Sequence, residues 1–167
     1  MNKSLKVKYI AQCTPDHVGV LNKINHIVGA INKRGDSAES HIVTELGVNG
    51  IVNLIKKLLF LRADIFIVRA PGAKTLFLIP AMIICRLRGI RIVLDIPTPI
   101  VNCIEQEYNP KTKLKSLFKK TLFYFSFPAA TWISNRVLQY APDSKIFTFG
   151  SASKLRQVSN FIDVNDI

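Results

Sequence analysis

Across roughly its first hundred residues the chain alternates short β-branched apolar runs with longer segments whose apolar residues recur every three or four positions. Residues 5–11 carry Val7, Tyr9 and Ile10 in a run that polar residues close at once, which predicts a strand. Residues 18–32 place Leu21, Ile24, Ile27, Val28 and Ile31 on one helical face, with Gly35 just past the end. A weaker strand over 37–44 follows, then a helix over 48–61 with its stripe at Ile51, Val52, Leu54, Ile55, Leu58 and Leu59. Residues 64–68 are wholly apolar after Asp64, as in a strand buried on both faces. A third helix over 72–88 ends at Gly89, and Ile90, Ile92, Val93 and Leu94 form the clearest strand, leading into Asp95.

This order predicts an α/β fold: a doubly wound, mostly parallel, Rossmann-like sheet with helices on both faces. Ligands of such sheets sit beyond the carboxyl ends of the strands. Those ends are residues 12–19, 44–47, 69–74 and 95–101. After Pro110 the texture changes. Residues 111–127 read as a basic, aromatic helix stopped by Pro128, residues 136–140 as a short helix and residues 145–149 as a last strand. The 167 residues fit one domain over 1–150, with 151–167 as the start of an interdomain linker.

The charged fraction of 20% against 49% hydrophobic residues excludes a disordered chain. The net charge of +12 favours an anionic partner, whether nucleic acid, an anionic membrane surface or a phosphorylated small molecule. The three cysteines, Cys13, Cys85 and Cys103, follow no disulfide framework, which points to a reducing compartment. The N-terminus lacks the apolar core and cleavage site of a signal peptide. The longest apolar run, residues 75–85, carries Pro80 and is shorter than the roughly 20 residues that span a bilayer. It reads as a buried helix or one that touches a membrane surface.

Several chemistries are absent from the sequence. There is no phosphate-binding Gly-x-x-x-x-Gly-Lys loop, no Gly-x-Gly-x-x-Gly after the first strand and no Gly-x-Ser-x-Gly elbow. His17, His26 and His41 have no metal-ligand spacing, and no Asp-x-Asp pair follows an apolar strand. No metal and no cofactor is expected.

The fourth strand end, Leu94-Asp95-Ile96-Pro97-Thr98-Pro99, sets a carboxylate at a strand terminus, and its two prolines stiffen the loop. That loop could hold Asp95 and Thr98 at the sheet edge for function, or could be a surface turn. Arg69 closes the third strand beside Asp95, where it could bind phosphate or simply pair with that carboxylate. Gly72 opens a helix whose N-terminus could hold an anion. In the first loop Asp16 could cap the following helix, His17 could be catalytic or solvated, and Gly19 lies at the helix start. Lys111, Lys113, Lys115, Lys119 and Lys120 alternate with apolar and aromatic residues. A basic amphipathic helix of that kind reads as a membrane-surface element, or as a helix packed on the sheet with a solvated lysine face.

Four segments together resemble the N-terminal domain of family 4 glycosyltransferases, of the GT-B fold and the capsule and exopolysaccharide type. They are Ala63-Asp64-Ile65-Phe66-Ile67-Val68-Arg69, Leu94-Asp95-Ile96-Pro97-Thr98-Pro99 with Glu105 beyond it, Ser144-Lys145-Ile146-Phe147-Thr148-Phe149, and Ser159-Asn160-Phe161-Ile162-Asp163-Val164. The first loop has only Gly19 where the family often has a glycine pair, and Phe161 stands where the linker motif has glycine. The resemblance implies transfer of a sugar from a nucleotide donor to a lipid-linked or polysaccharide acceptor. It implies a donor-binding domain beyond residue 167 or on a separate chain, without which the isolated chain is expected to be inactive. It assigns Asp95 to the catalytic cleft and Arg69, Thr98, Gly19, His17 and Glu105 to acceptor or phosphate binding. It sets the domain in the cytoplasm, peripheral to the inner face of the membrane.

Two other readings compete. One is a noncatalytic membrane-surface adaptor on the same fold. The other is charge-driven nucleic-acid binding, which lacks any supporting motif, so no nucleic-acid partner is expected.

Overall fold

A computed structural model describes residues 4–69, 71–96, 113–139 and 155–157. Its elements in chain order are strand β1 (Lys6–Gln12), helix α1 (Val18–Lys33), β2 (Ser37–Val43), α2 (Gly47–Phe60), β3 (Ile65–Arg69), a 3₁₀ turn (Gly72–Lys74), α3 (Thr75–Leu87), β4 (Arg91–Ile96), α4 (Lys113–Ile133), β5 (Arg136–Gln139) and β6 (Leu155–Gln157). The strands form one sheet in the order β2-β1-β3-β4-β5-β6, and every neighbouring pair is parallel. The expected α/β, doubly wound, Rossmann-like fold is therefore what forms.

Strand alternation divides the core in two. Val7, Tyr9 and Ala11 of β1 and Ile67 of β3 face α1, where Ile24 and Ile27 cover them. Ile10, Phe66, Val68, Ile92 and Leu94 face the other way. There α2, α3 and α4 supply Leu54, Leu58, Leu78, Met82, Phe123 and Phe127. The rings of Phe123 and Phe127, one helical turn apart, stack at 5.5 Å.

The edge at the amino ends of the strands is tied by side chains the periodicity does not reveal. Asp36 accepts from the Leu5 amide at 2.9 Å and Asp64 from the Lys6 amide at 2.7 Å. Asn135 accepts at Oδ1 from the Ile92 backbone amide at 2.8 Å and from Arg86 at 2.6 Å, and its backbone N–H donates to the Ile92 carbonyl. One asparagine thus joins α3, β4 and the start of β5.

Three readings change. Pro128 does not stop the last long helix, which continues to Ile133. A proline inside a helix sacrifices one backbone hydrogen bond, but Phe127, Ala130 and Ile133 all bury on the sheet side, and that packing outweighs the local preference. Residues 136–139 form a strand, not a helix. Four residues are too few to nucleate an isolated helix, whereas Val137 fills the core opposite Leu94 in the parallel ladder. Within the stretch read as a linker, Leu155–Gln157 adds a sixth strand beside β5. The strand expected over 145–149 lies outside the described residues.

Candidate functional site

In the order 2-1-3-4-5 the chain runs outward from β1 to β2, then returns to the other side of β1 with β3. The connections leaving the carboxyl ends of β1 and β3 diverge there, and this switch point is where open α/β sheets bind ligands. After β1 come Cys13 and a turn in which the His17 amide donates to the Thr14 carbonyl at 3.1 Å. After β3 comes the 3₁₀ turn opened by Gly72 at φ +66°, where a side chain would be strained and a Cβ would lie 3.3 Å from the Phe123 ring. Thr75, wholly buried, closes that turn by donating to the Gly72 carbonyl at 2.6 Å.

Arg69 ends β3 and stands opposite Asp95 of β4 in register. Both lie on the α1 side of the sheet, because they alternate in phase with Ile67 and Val93. Arg69 Nη1 donates to Asp95 Oδ2 at 3.1 Å. The Tyr9 hydroxyl, crossing over β3 from β1, donates to the same oxygen. Asp95 is 0% exposed. Among the described residues its second oxygen, Oδ1, is buried without a hydrogen-bond partner. The carboxylate expected at an open rim is thus at the predicted strand end but sealed beneath Tyr9 and Arg69.

Lys23 on α1 completes the group. Burial lowers its pKa to about 8, with Asp95 acting to raise it and Arg69 to lower it. The ammonium therefore senses both members of the ion pair. Burial pushes the Cys13 thiol above its ordinary value, against an opposing pull from Arg69. The cluster joins three strands and one helix: an arginine and a half-buried lysine around a carboxylate with one unmet oxygen. Chemically the buried carboxylate is suited to holding the protein's own Arg69 and Lys23 cations in place at the switch point, not to direct attack.

The other sequence candidates distribute unevenly. His17 is the N-cap residue of α1 and is exposed, without a side-chain cap bond. Asp16, expected to cap that helix, precedes the cap position. Gly19 is exposed in the first turn of α1 with open space around it. All three sit at the carboxyl edge near the switch point. Thr98, Glu105 and Lys111 lie outside the described residues. Lys113, Lys115, Lys119 and Lys120 all lie on α4. Lys120 is exposed, its ammonium 5.9 Å from the Tyr124 ring centre.

A cavity of about 410 Å³ opens beyond the end of β2, lined by Thr44, Glu45, Asn53, Lys56 and Lys57 among others. It is at the outer edge of the sheet, away from Arg69 and Asp95. Gly50 shapes the nearby turn, because a Cβ there would collide with the Gln12 side chain and the Glu45 carbonyl, which are hydrogen-bonded to each other.

Sequence reasoning did not single out Tyr9 or Lys23. The signals were present: a tyrosine on a core-facing strand position needs a partner for its hydroxyl, and Lys23 falls on the α1 face of Ile24 and Ile27. Among the described residues no group of side chains could hold a metal ion, and no helix is long and apolar enough to cross a membrane. No family model matches the chain, and no curated protein or solved structure does either.

Proposed function

We propose that this domain is the acceptor-binding half of a GT-B-type glycosyltransferase, which moves a sugar from a nucleotide donor to a hydroxyl of a lipid-linked or polysaccharide acceptor. One observation carries the reading. Arg69 and Asp95, which belong to two of the four segments that carry the sequence resemblance, lie opposite each other in register beside the switch point of the sheet. In this reading Asp95 is a positioning residue. Its buried carboxylate holds the Arg69 guanidinium, and Arg69 and Lys23 provide the positive field that receives the phosphate of a lipid-linked acceptor. His17 at the N-cap of α1 and Gly19 in its first turn are exposed at the same edge of the sheet. The nucleotide sugar is held by a donor-binding domain, which this reading requires as a partner.

The test is incorporation of labelled sugar into lipid-linked glycan by membranes from cells lacking this chain, supplied with a panel of nucleotide sugars. Restoring the chain should restore labelling with one donor, and Lys23→Met should reduce it with little change in fold. Undiminished labelling in membranes without the chain, across every donor, would rule the proposal out. A noncatalytic adaptor would give that same result.

A further inference from the structure

Apart from Arg86 in its last turn, helix α3 carries apolar side chains on both its buried and its outward side. Thr75, Leu78, Ala81, Met82 and Cys85 are buried against the sheet. On its opposite side Phe77, Pro80, Ile84 and Leu87 recur at helical spacing, and all are exposed, Phe77 at 55% and Leu87 at 83%. A helix with apolar faces on two sides is one whose second face meets another apolar phase.

Its neighbour α4 repeats the pattern. Phe118, Phe125 and Trp132 stand at intervals of two helical turns, flanked by Leu117 and Tyr124. All five are exposed, Phe125 at 69% and Trp132 at 70%. Both helices lie on one face of the sheet and pack against each other, so their outward faces look the same way. Soluble domains rarely leave apolar side chains so concentrated.

The charge on these elements is of one sign. Neither α3 nor α4 contains an acidic residue. Arg86 on α3, Lys120 on α4, and Lys74 and Arg88 at the two ends of α3 are all exposed. A second copy of the chain placed face to face would oppose like charges. An anionic bilayer offers the complement: headgroups for the basic border, an acyl boundary for the apolar rows, and an interfacial level that suits tryptophan and tyrosine. Neither helix is long and apolar enough to cross.

We propose that α3 and α4 together form a docking face for an anionic lipid surface, with Phe77, Leu87, Phe118, Phe125 and Trp132 entering the headgroup–acyl boundary. This differs from attachment through the lysine-rich start of α4 alone, because apolar area on two helices carries the contact. It does not depend on sugar transfer. The turn at Gly72 joins the end of β3 to the start of α3, so the docked face adjoins the edge where Arg69 ends its strand.

Trp132 is the single tryptophan of the chain and reports on the contact directly. The full chain is titrated with vesicles of phosphatidylcholine, alone or mixed with phosphatidylglycerol, and followed by tryptophan emission and flotation. Mixed vesicles should shift the emission to the blue and float the chain, and added salt should weaken binding. The pair Phe77→Ser with Leu87→Ser on α3, and the pair Phe118→Ser with Phe125→Ser on α4, should each weaken binding about tenfold or more. These side chains are exposed, so the variants keep the core, which circular dichroism verifies. Binding unaffected by the α3 pair would overturn the two-helix face. So would equal binding to neutral vesicles, or a blue shift that follows protein concentration without lipid, which would mark self-association.

Discussion

The Tyr9 hydroxyl donates to the carboxylate of Asp95 across 86 residues of sequence and over the intervening strand β3. Arg69 donates to the same oxygen from the end of β3, so a single buried atom joins β1, β3 and β4. A carboxylate buried in this way is out of reach of bulk solvent and held by its partners, which makes each partner's removal costly.

Tyr9→Phe removes one hydrogen bond to a charged group and no packing volume. We expect a loss of about 2 kcal/mol in urea unfolding, with an unchanged denaturant slope. A loss below a few tenths of a kcal/mol would mean that the hydroxyl is not engaged with Asp95.

Arg69→Met and Asp95→Leu each leave the opposite charge buried without its partner, and each should cost about 3–5 kcal/mol. The double variant should cost much less than the sum, because neither charge then remains. Simple additivity would contradict the ion pair.

Lys23 gives a pH signature. Its folded pKa of about 8 lies below its ordinary value of 10.5. Between those values the unfolded chain binds more protons than the folded one, so this group makes stability rise with pH across the window. Below about 8 its unfavourable contribution is fully present. Lys23→Met should be more stable than wild type near neutrality, and the gap should close as pH rises toward 10.5, measured by urea unfolding at several pH values. A gap independent of pH would show that desolvation of the ammonium is not the cause.

His41 titrates in the opposite part of the scale with the same sign. Burial, helped by Lys57 and Lys8, lowers its pKa below the ordinary histidine value, against an opposing pull from Glu39. Wild type should lose stability relative to His41→Gln as pH falls through 6.5 and below. A difference that stays flat over that interval would contradict it.

The first four strands and three helices were legible because each makes a long enough run for its period to show. The central residues 65–68 of β3 and 92–94 of β4 are apolar on both faces, as strands between two helical layers are. The pairing of Arg69 with Asp95 was legible too, since both end neighbouring parallel strands. The region after residue 112 was harder to read. Arg136–Gln139 is too short for any period, and Pro128 signals a stop that the burial of Phe127, Ala130 and Ile133 overrides. Tyr9 and Lys23 were concealed differently. Each occupies a core-facing position of a well-predicted element, and its role appears only once a distant strand brings Asp95 alongside. The second apolar face of α3 was visible as a wholly apolar run. Which of its sides would remain uncovered depends on how α3 packs against the sheet and α4.

Hydrogen–deuterium exchange of the full chain, with a lipid-phosphate-linked sugar acceptor in mild detergent, tests the acceptor-binding role most directly. Protection should appear in peptides covering residues 13–19 and 71–75, at the ends of β1 and β3, and should weaken in Lys23→Met. Exchange unchanged by the acceptor at both connections, or protection confined to α3 and α4 as with detergent alone, would contradict it.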